Sequence, residues 1–282
     1  MIIVTGATGK LGRAVVGRLA ERLPAAELGV SVREPEQAAE WVARGIRVRR
    51  GDFGDPDGLV HAFEGATQVL IVSGPADPAP HQAAIEAARK AGAERILYTS
   101  HMGARPDSLF LATRGHATTE QDLAASDVPF TALRNGFYAT TTVWHLRTAL
   151  ETGELRLPAD GPVSWTAHPD LADAAVVALT DPDRLQGITP ALTGPEALDL
   201  ADAAGIVTEL TGRKIVRVVL DDDEWRQQAL AQGLPPFVAD LALGMFQASR
   251  RGEFAAVDPA LADLLGRRPT DLRTLLQAEF PG

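Results

Sequence analysis

The stretch Met1-Ile2-Ile3-Val4-Thr5-Gly6-Ala7-Thr8-Gly9-Lys10-Leu11-Gly12 decides how the rest of the chain is read. Met1 to Val4 is a short apolar run and reads as a buried strand. Glycines follow at positions 6, 9 and 12, and an amphipathic helical pattern then runs from about Leu11 to Leu23. Strand, glycine turn and helix in that order is the context that gives a glycine motif meaning. Gly6 suits the tight turn, Gly9 lets the backbone approach a pyrophosphate, and Gly12 lets helix and strand pack closely. The unpaired N–H groups and the dipole at a helix N-terminus attract phosphate. The spacing is G-x-x-G-x-x-G rather than the G-x-G-x-x-G of many dehydrogenases, and an ordinary tight loop is the plainer alternative. The strand before it and the helix after it favour dinucleotide binding.

Downstream, strands alternate with helical stretches. Strands are expected at Leu28–Val32, Ile46–Arg50, Gln68–Val72, Glu94–Thr99 and Phe130–Arg134, with helices at Glu36–Arg44, His81–Ala91 and Thr113–Ala125. Asp55-Pro56-Asp57 reads as an N-cap with proline at the first helical position. Pro75, Pro78 and Pro80 suggest a stiff loop. The alternation predicts βαβ units: an α/β fold with a Rossmann-type doubly wound parallel sheet. Ligands of such sheets sit beyond the carboxyl ends of the strands. Gly6, Arg33, Asp52, Ser73, Ser100 and Asn135 are therefore expected to line one cleft. Arg33 ends the second strand, where an arginine accommodates a 2′-phosphate and an acid binds a 2′-hydroxyl. Arg33 comes before Glu34, and Lys10 adds a second positive charge, so NADP(H) is preferred over NAD(H).

From about Glu151 the alternation loosens. Short strands are expected at Val163–Ala167, Ile188–Thr193 and Ile215–Leu220, and helices at Pro169–Leu179, Leu198–Leu210, Pro235–Ser249, Pro259–Leu265 and Thr270–Gln277. The domain expectation is an NAD(P)-binding Rossmann domain at 1–150 and a smaller, mostly helical C-terminal lobe at 151–282 that binds substrate, with part of 163–193 returning to the main sheet. The run Asp221-Asp222-Asp223-Glu224 reads as an acidic first helical turn favoured by the helix dipole rather than as a metal site.

Composition narrows the class. The chain has 282 residues, 45% hydrophobic and 23% charged, with a formal net charge of −10. That balance, with no dense Lys/Arg cluster, argues against nucleic acid as a partner. No apolar run is long enough to span a membrane, and no secretory leader pattern opens the chain, so a cytoplasmic location is the default. The chain has no cysteine, which removes disulfides, thiolate nucleophiles and Fe–S clusters. Redox chemistry would come from a bound organic cofactor. A small-molecule substrate and a monomer or homodimer are expected.

Many reductases of this fold use a tyrosine with a lysine four residues later. The two tyrosines are Tyr98 and Tyr138, followed at that distance by Met102 and Thr142, so the dyad is absent. This counts against ordinary alcohol dehydrogenation and sugar epimerisation. No G-x-S-x-G elbow supports a hydrolase either. The stretch that takes the dyad's place is His116-Ala117-Thr118-Thr119-Glu120, in which His116 and Glu120 lie one helical turn apart. A carboxylate beside an imidazole would orient it and favour its protonated form; a solvated pair on a helix surface is the plainer reading. Phe137 and Trp165 form either an apolar wall or plain core.

Taken together, TGATGKLG from Thr5, VREPEQA from Val32, RGDFGDP from Arg50, RILYTS from Arg95, HATTEQDLAAS from His116 and FTALRNGFY from Phe130 resemble the NmrA-like branch of the atypical short-chain dehydrogenases/reductases. HPDLADAA from His168 and ALTGPEAL from Ala191 extend the likeness over nearly the whole chain. Within that branch the chain looks most like bacterial NAD(P)H:quinone oxidoreductases and triphenylmethane reductases. The resemblance implies that Gly6, Gly9 and Gly12 bind pyrophosphate, Arg33 the 2′-phosphate, and Asp52 with Phe53 the adenine. It also implies that Ser73, His116 and the segment Asn135 to Tyr138 surround the nicotinamide, with His116 and Tyr138 as catalytic residues. Thr8, Lys10, Leu11, Gly74 and Ser100 complete the expected cofactor set. The implied activity is NADPH-dependent hydride transfer to a quinone or similar conjugated acceptor. The family also includes regulators that bind the dinucleotide without turning it over, which is the alternative reading.

Overall fold

The computed structural model describes residues 1–74 and 76–281; Pro75, the first proline of the expected stiff loop, lies outside them. In chain order the elements are β1 (Ile2–Thr5), α1 (Lys10–Leu19), β2 (Leu28–Val32), α2 (Ala39–Ala43), β3 (Arg47–Arg50), α3 (Pro56–Phe63), β4 (Gln68–Ile71), α4 (Ala79–Lys90), β5 (Arg95–His101), α5 (Leu111–Ala125) and β6 (Phe130–Asn135). There follow α6 (Thr140–Thr152), β7 (Glu154–Pro158), α7 (His168–Thr180), β8 (Gly187–Ile188), α8 (Leu200–Thr211), β9 (Val216–Leu220), α9 (Asp222–Ala231), α10 (Pro236–Arg250), α11 (Ala260–Leu265) and α12 (Leu272–Glu279).

The chain divides into two compact units, neither continuous in sequence. The first holds Met1–Ala104, Gly115–Asn135 and His168–Pro190. Its sheet has seven strands in the order β3-β2-β1-β4-β5-β6-β8, all parallel. The order reverses between β1 and β4. Helices cover both faces, the doubly wound arrangement that right-handed crossovers produce. Buried on both sides, β1 and β2 carry no exposed residue, which is why they read as near-continuous apolar runs. One side of the core joins Ile3, Val69, Ile71, Ile96 and Tyr98 of the strands to Leu59 and Phe63 of α3, Ile85 of α4 and Leu123 of α5. Helix α1 buries Leu11, Val15, Val16 and Leu19 and packs against α7, with Arg18 Nε 2.5 Å from Asp173 Oδ1 at the rim of that contact. Truncating a fully buried residue such as Leu19 to alanine would cost about 2–5 kcal/mol. Helix α3 starts where Asp55 accepts from the Gly58 N–H and Pro56 opens the first turn.

The second unit holds Arg105–Arg114, Gly136–Ala167 and Ala191–Gly282. It is mostly helical, with β7 and β9 pairing in parallel as a separate small sheet. Phe110, Phe137, Trp165 and Phe254 form an aromatic cluster with ring centroids 5.1–6.1 Å apart. Helix α8 opens with a capping box between Asp199 and Asp202. The acidic run is the start of α9: Asp221 caps it by accepting from the N–H groups of Asp223 and Glu224. Asp222 binds Arg250.

Two expected strands shrink. Val163–Ala167 makes only isolated bridges, Val163 to Leu198 and Thr166 to Tyr138, because its backbone groups go to three separate segments instead of one ladder. Ile188–Thr193 reduces to the two-residue β8, the edge strand of the main sheet. Thr189 leaves the ladder yet stays attached, its Oγ1 accepting from the Arg134 N–H at 3.0 Å. Among the described residues no helix is long and apolar enough to cross a membrane, and no group of acids and histidines is disposed to hold a metal ion.

Candidate active site

The glycine turn depends on all three glycines. Gly6 sits at φ +60°, a conformation that disfavours side chains, and its carbonyl accepts the Gly9 N–H at 2.9 Å. A Cβ on Gly12 would lie 2.3 Å from the Gly6 carbonyl oxygen, so only glycine lets α1 rest on the turn. Gly9 is the N-cap of α1 and supplies no side-chain cap. The first N–H groups of the helix are thereby left to an outside acceptor, as a phosphate site requires.

Beyond this turn, at the carboxyl ends of β1, β2 and β4, lies a cleft of about 490 Å³ lined by Gly6, Thr8, Gly9, Arg33, Asp52, Phe53, Ser73 and Gly74, together with Ser31 and Pro80. Arg33 is exposed and makes no ion pair among the described residues, whereas the neighbouring Glu34 carboxylate accepts from Gln37 Nε2. The Asp52 carboxylate braces its own loop, accepting from the Gly54 N–H at 2.9 Å. Ser73 is anchored by Thr99, whose Oγ1 accepts the Ser73 N–H at 2.8 Å and lies 3.0 Å from its hydroxyl. The turn that a Cβ would block, the uncapped helix start and the unpaired guanidinium at the second strand end all fit a dinucleotide with its pyrophosphate on α1.

Other expected cofactor residues lie elsewhere. Lys10 is exposed at the start of α1, while Leu11 and Gly12 are buried beneath the turn; none of the three lines the cleft. Ser100 does not line it either: β5 continues through His101, so Ser100 is a strand residue, 3% exposed. Its hydroxyl donates to Glu120 Oε1 at 2.7 Å. Asn135 ends β6 and is buried, in register with His101. Tyr138 belongs to the second unit, half-buried, with its backbone bridged to Thr166. Phe137 and Trp165 are core there, and the Trp165 indole donates to the Leu198 carbonyl at 2.8 Å.

The expected pairing of His116 with Glu120 does not form. Glu120 is buried and held by Arg134, whose Nε and Nη2 donate to its two oxygens at 2.9 and 2.7 Å. Helical spacing allowed His116 to meet the carboxylate, but a bidentate guanidinium from β6 and the Ser100 hydroxyl occupy it instead. His116 Nδ1 lies 2.7 Å from the Tyr98 hydroxyl. Its ring stacks near His101 and His81, with centroids 5.9 and 6.4 Å away. Burial, and then the neighbouring His101 and His81, hold its pKa well below the ordinary imidazole value. Its surroundings therefore favour the neutral imidazole over the imidazolium that a carboxylate partner would have favoured.

Tyr98, His81, His101, Thr119 and Arg134 were not singled out by motif reading. Gly115 is another: a Cβ there would lie 2.0 Å from the Ala76 carbonyl oxygen, so this glycine lets α5 press against the loop that follows β4. The GH pair within LATRGHATTE was the available signal, since a glycine inside a helical pattern asks for a packing reason.

Residues 6–182 match the NAD(P)H-binding family. The chain belongs to the NAD(P)H-binding, NmrA-like family. It is 32% identical over 276 residues to quinone oxidoreductase 2 of Escherichia coli (strain K12), covering 96% of each chain. Among solved structures, this family member is similar to an NADPH-dependent quinone oxidoreductase from Escherichia coli complexed with NADPH, with a TM-score of 0.93, 30% identity, and 99% of this chain and 100% of that one covered. It is also similar to the Citrobacter sp. triphenylmethane reductase complexed with NADP(H), with a TM-score of 0.91, 30% identity, and 99% and 100% covered.

Proposed function

We propose that this NAD(P)H-dependent oxidoreductase uses NADPH to reduce a quinone or a similarly conjugated acceptor. The observation that carries the acceptor class is the state of His116. The position that stands in for the missing tyrosine–lysine pair holds an imidazole facing the Tyr98 hydroxyl at 2.7 Å, with the nearby carboxylate taken by Arg134 and burial favouring the neutral ring, and no lysine lies within the stretch from Gly115 to Asn135. Such a site is poor at protonating an unactivated carbonyl. A quinone needs no such help, since it accepts hydride as an already electrophilic ring and the hydroquinone monoanion that results takes one proton from water. The named activities of the relatives, on quinones and triphenylmethane dyes, fall in the same electronic class.

When bound, the reduced nicotinamide supplies the hydride. The protein's part is binding and orientation. Gly6, Gly9 and the start of α1 would hold the pyrophosphate, and Arg33 the 2′-phosphate that distinguishes NADPH from NADH. Asp52 and Phe53 would flank the adenine, and Ser73, fixed by Thr99, would meet the nicotinamide half. Tyr138 is assigned to the acceptor side as a hydrogen-bond donor. The test is single-turnover loss of NADPH absorbance on mixing with excess benzoquinone- and naphthoquinone-type acceptors, corrected for the direct chemical reaction. Protein-dependent hydride loss with at least one acceptor is expected. Tight cofactor binding with no hydride loss across the panel would instead support the non-catalytic, regulatory reading.

A further inference from the structure

A row of buried polar side chains leads inward from the cleft rim, and its proton order is set from one end. The Gly74 N–H can only donate, and it does so to His81 Nε2 at 3.1 Å. A neutral His81 must then carry its proton on Nδ1. That nitrogen lies 3.2 Å from Thr119 Oγ1 and 3.3 Å from the Tyr98 hydroxyl. Thr119 spends its own proton on the Gly115 carbonyl, 3.0 Å away, so it too receives from His81. Tyr98 therefore cannot donate to His81, whose facing nitrogen is already protonated. Between His81 and His116, only His116 can take the tyrosine proton, at the shorter distance of 2.7 Å.

We propose that Tyr98 is a positioning residue that fixes His116 as the tautomer with its proton on Nε2, making that histidine a hydrogen-bond donor rather than a base. The catalytic consequence of this assignment rests on the reductase reading above; the tautomer itself does not. Burial supports the neutral forms the argument needs, since it takes His81 down to about 4 and His116 well below its ordinary value. His101 does not compete for the tyrosine through its Nδ1, which accepts the Gly103 N–H at 3.0 Å. The row thus couples the backbone of the cleft rim to the face that His116 presents, through a hydroxyl that is itself fully buried.

The experiment is a long-range proton–nitrogen correlation spectrum of isotopically labelled full-length protein at neutral pH, with His81 and His116 assigned from His81→Gln and His116→Gln spectra. The two histidines are expected in opposite tautomers, His81 protonated on Nδ1 and His116 on Nε2. In Tyr98→Phe, which keeps the ring, the His116 signal is expected to move to a mixture while His101 stays unchanged. Quinone turnover in that variant should fall about tenfold in kcat, the effect of one hydrogen bond, with NADPH affinity unchanged. His116 protonated on Nδ1 in the wild type would overturn the proposal, as would a Tyr98→Phe spectrum identical to the wild type. Absence of turnover in the wild type would count against the reductase reading and leave the tautomer assignment to the spectra.

Discussion

Gly12 and Gly6 touch: the α-carbon of one approaches the carbonyl of the other so closely that a methyl group on Gly12 would sit 2.3 Å from that oxygen. The contact involves backbone on both sides, so no rotamer change relieves it. Gly12→Ala is expected to push α1 off the turn, at a cost of about 1–3 kcal/mol as for other overpacked sites, and to weaken NADPH binding if the helix start holds the pyrophosphate as proposed. Urea denaturation and cofactor titration measure the two effects; a variant with wild-type stability and affinity would show that the turn tolerates the shift.

Arg33→Ala should cost NADPH affinity about 1.5–3 kcal/mol, the worth of a charge-assisted hydrogen bond, and leave NADH affinity nearly unchanged. Only NADPH offers a 2′-phosphate, and Arg33 has no carboxylate partner among the described residues to divert it. Calorimetric titration with both cofactors decides the matter, and equal losses would remove Arg33 from phosphate recognition.

His116→Ala should lower quinone turnover while NADPH binding stays largely intact, because the histidine is held by Tyr98 rather than by the phosphate cleft. Tyr138→Phe should raise the KM for acceptor and spare the KM for NADPH. Steady-state kinetics with each substrate varied in turn separates the two.

Glu120 is 4% exposed in its side chain and paired with an Arg134 that is 30% exposed. Glu120→Ala strands the guanidinium and the Ser100 hydroxyl, and a loss of about 2–3 kcal/mol is expected, below the range for fully buried pairs because water reaches Arg134. Stability comparable to wild type, by chemical denaturation, would contradict this structural role.

Stability should fall on mild acidification. Burial takes His81, His101, His145 and His168 to about 4, with His116 also well below its ordinary value. In the unfolded chain each titrates near 6.5. Between those pH values the unfolded state binds protons that the folded state refuses, so the stability these groups contribute is complete above about pH 6.5 and drains away as pH drops toward 4. Each such histidine contributes a slope of up to about 1.4 kcal/mol per pH unit. Urea midpoints should be markedly lower at about pH 5 than at neutrality, with the sequence-determined slope set by these histidines. A flat profile would mean that their rings are hydrated.

Local signals carried the first half of the chain. The expected bounds of β2 coincide with the observed Leu28–Val32, because an apolar run ending in Arg33 has one reading. Asp55-Pro56 gave the start of α3 by its own chemistry, and Asp221 explains the acidic run as a cap. Helix α6 and strand β7 escaped notice. The helix opens on Thr140-Thr141-Thr142-Val143, a β-branched run with low helical propensity, and is held by packing of residues such as Val143 and Leu146.

The site divides along the same line. Residues of the turn and the strand ends announce themselves by spacing. Tyr98 did not, because with Met102 in place of a lysine four residues on it fits no tyrosine–lysine dyad, and its histidine partners come from other elements. Glu120 was paired with the wrong neighbour for a related reason: spacing within one helix says which side chains can meet, while Arg134, the partner it has, comes from a strand that follows in sequence.

The interleaving of the two units constrains how the chain is made. The main sheet is not complete until β8, and α1, translated well before α7, waits for that helix to cover it. Between β6 and α7 the ribosome delivers a stretch that belongs to the other unit. A nascent chain stalled before α7 has been made therefore exposes the apolar flank of α1, making translation pauses and premature stops in that interval points at which chaperone capture or aggregation competes with folding.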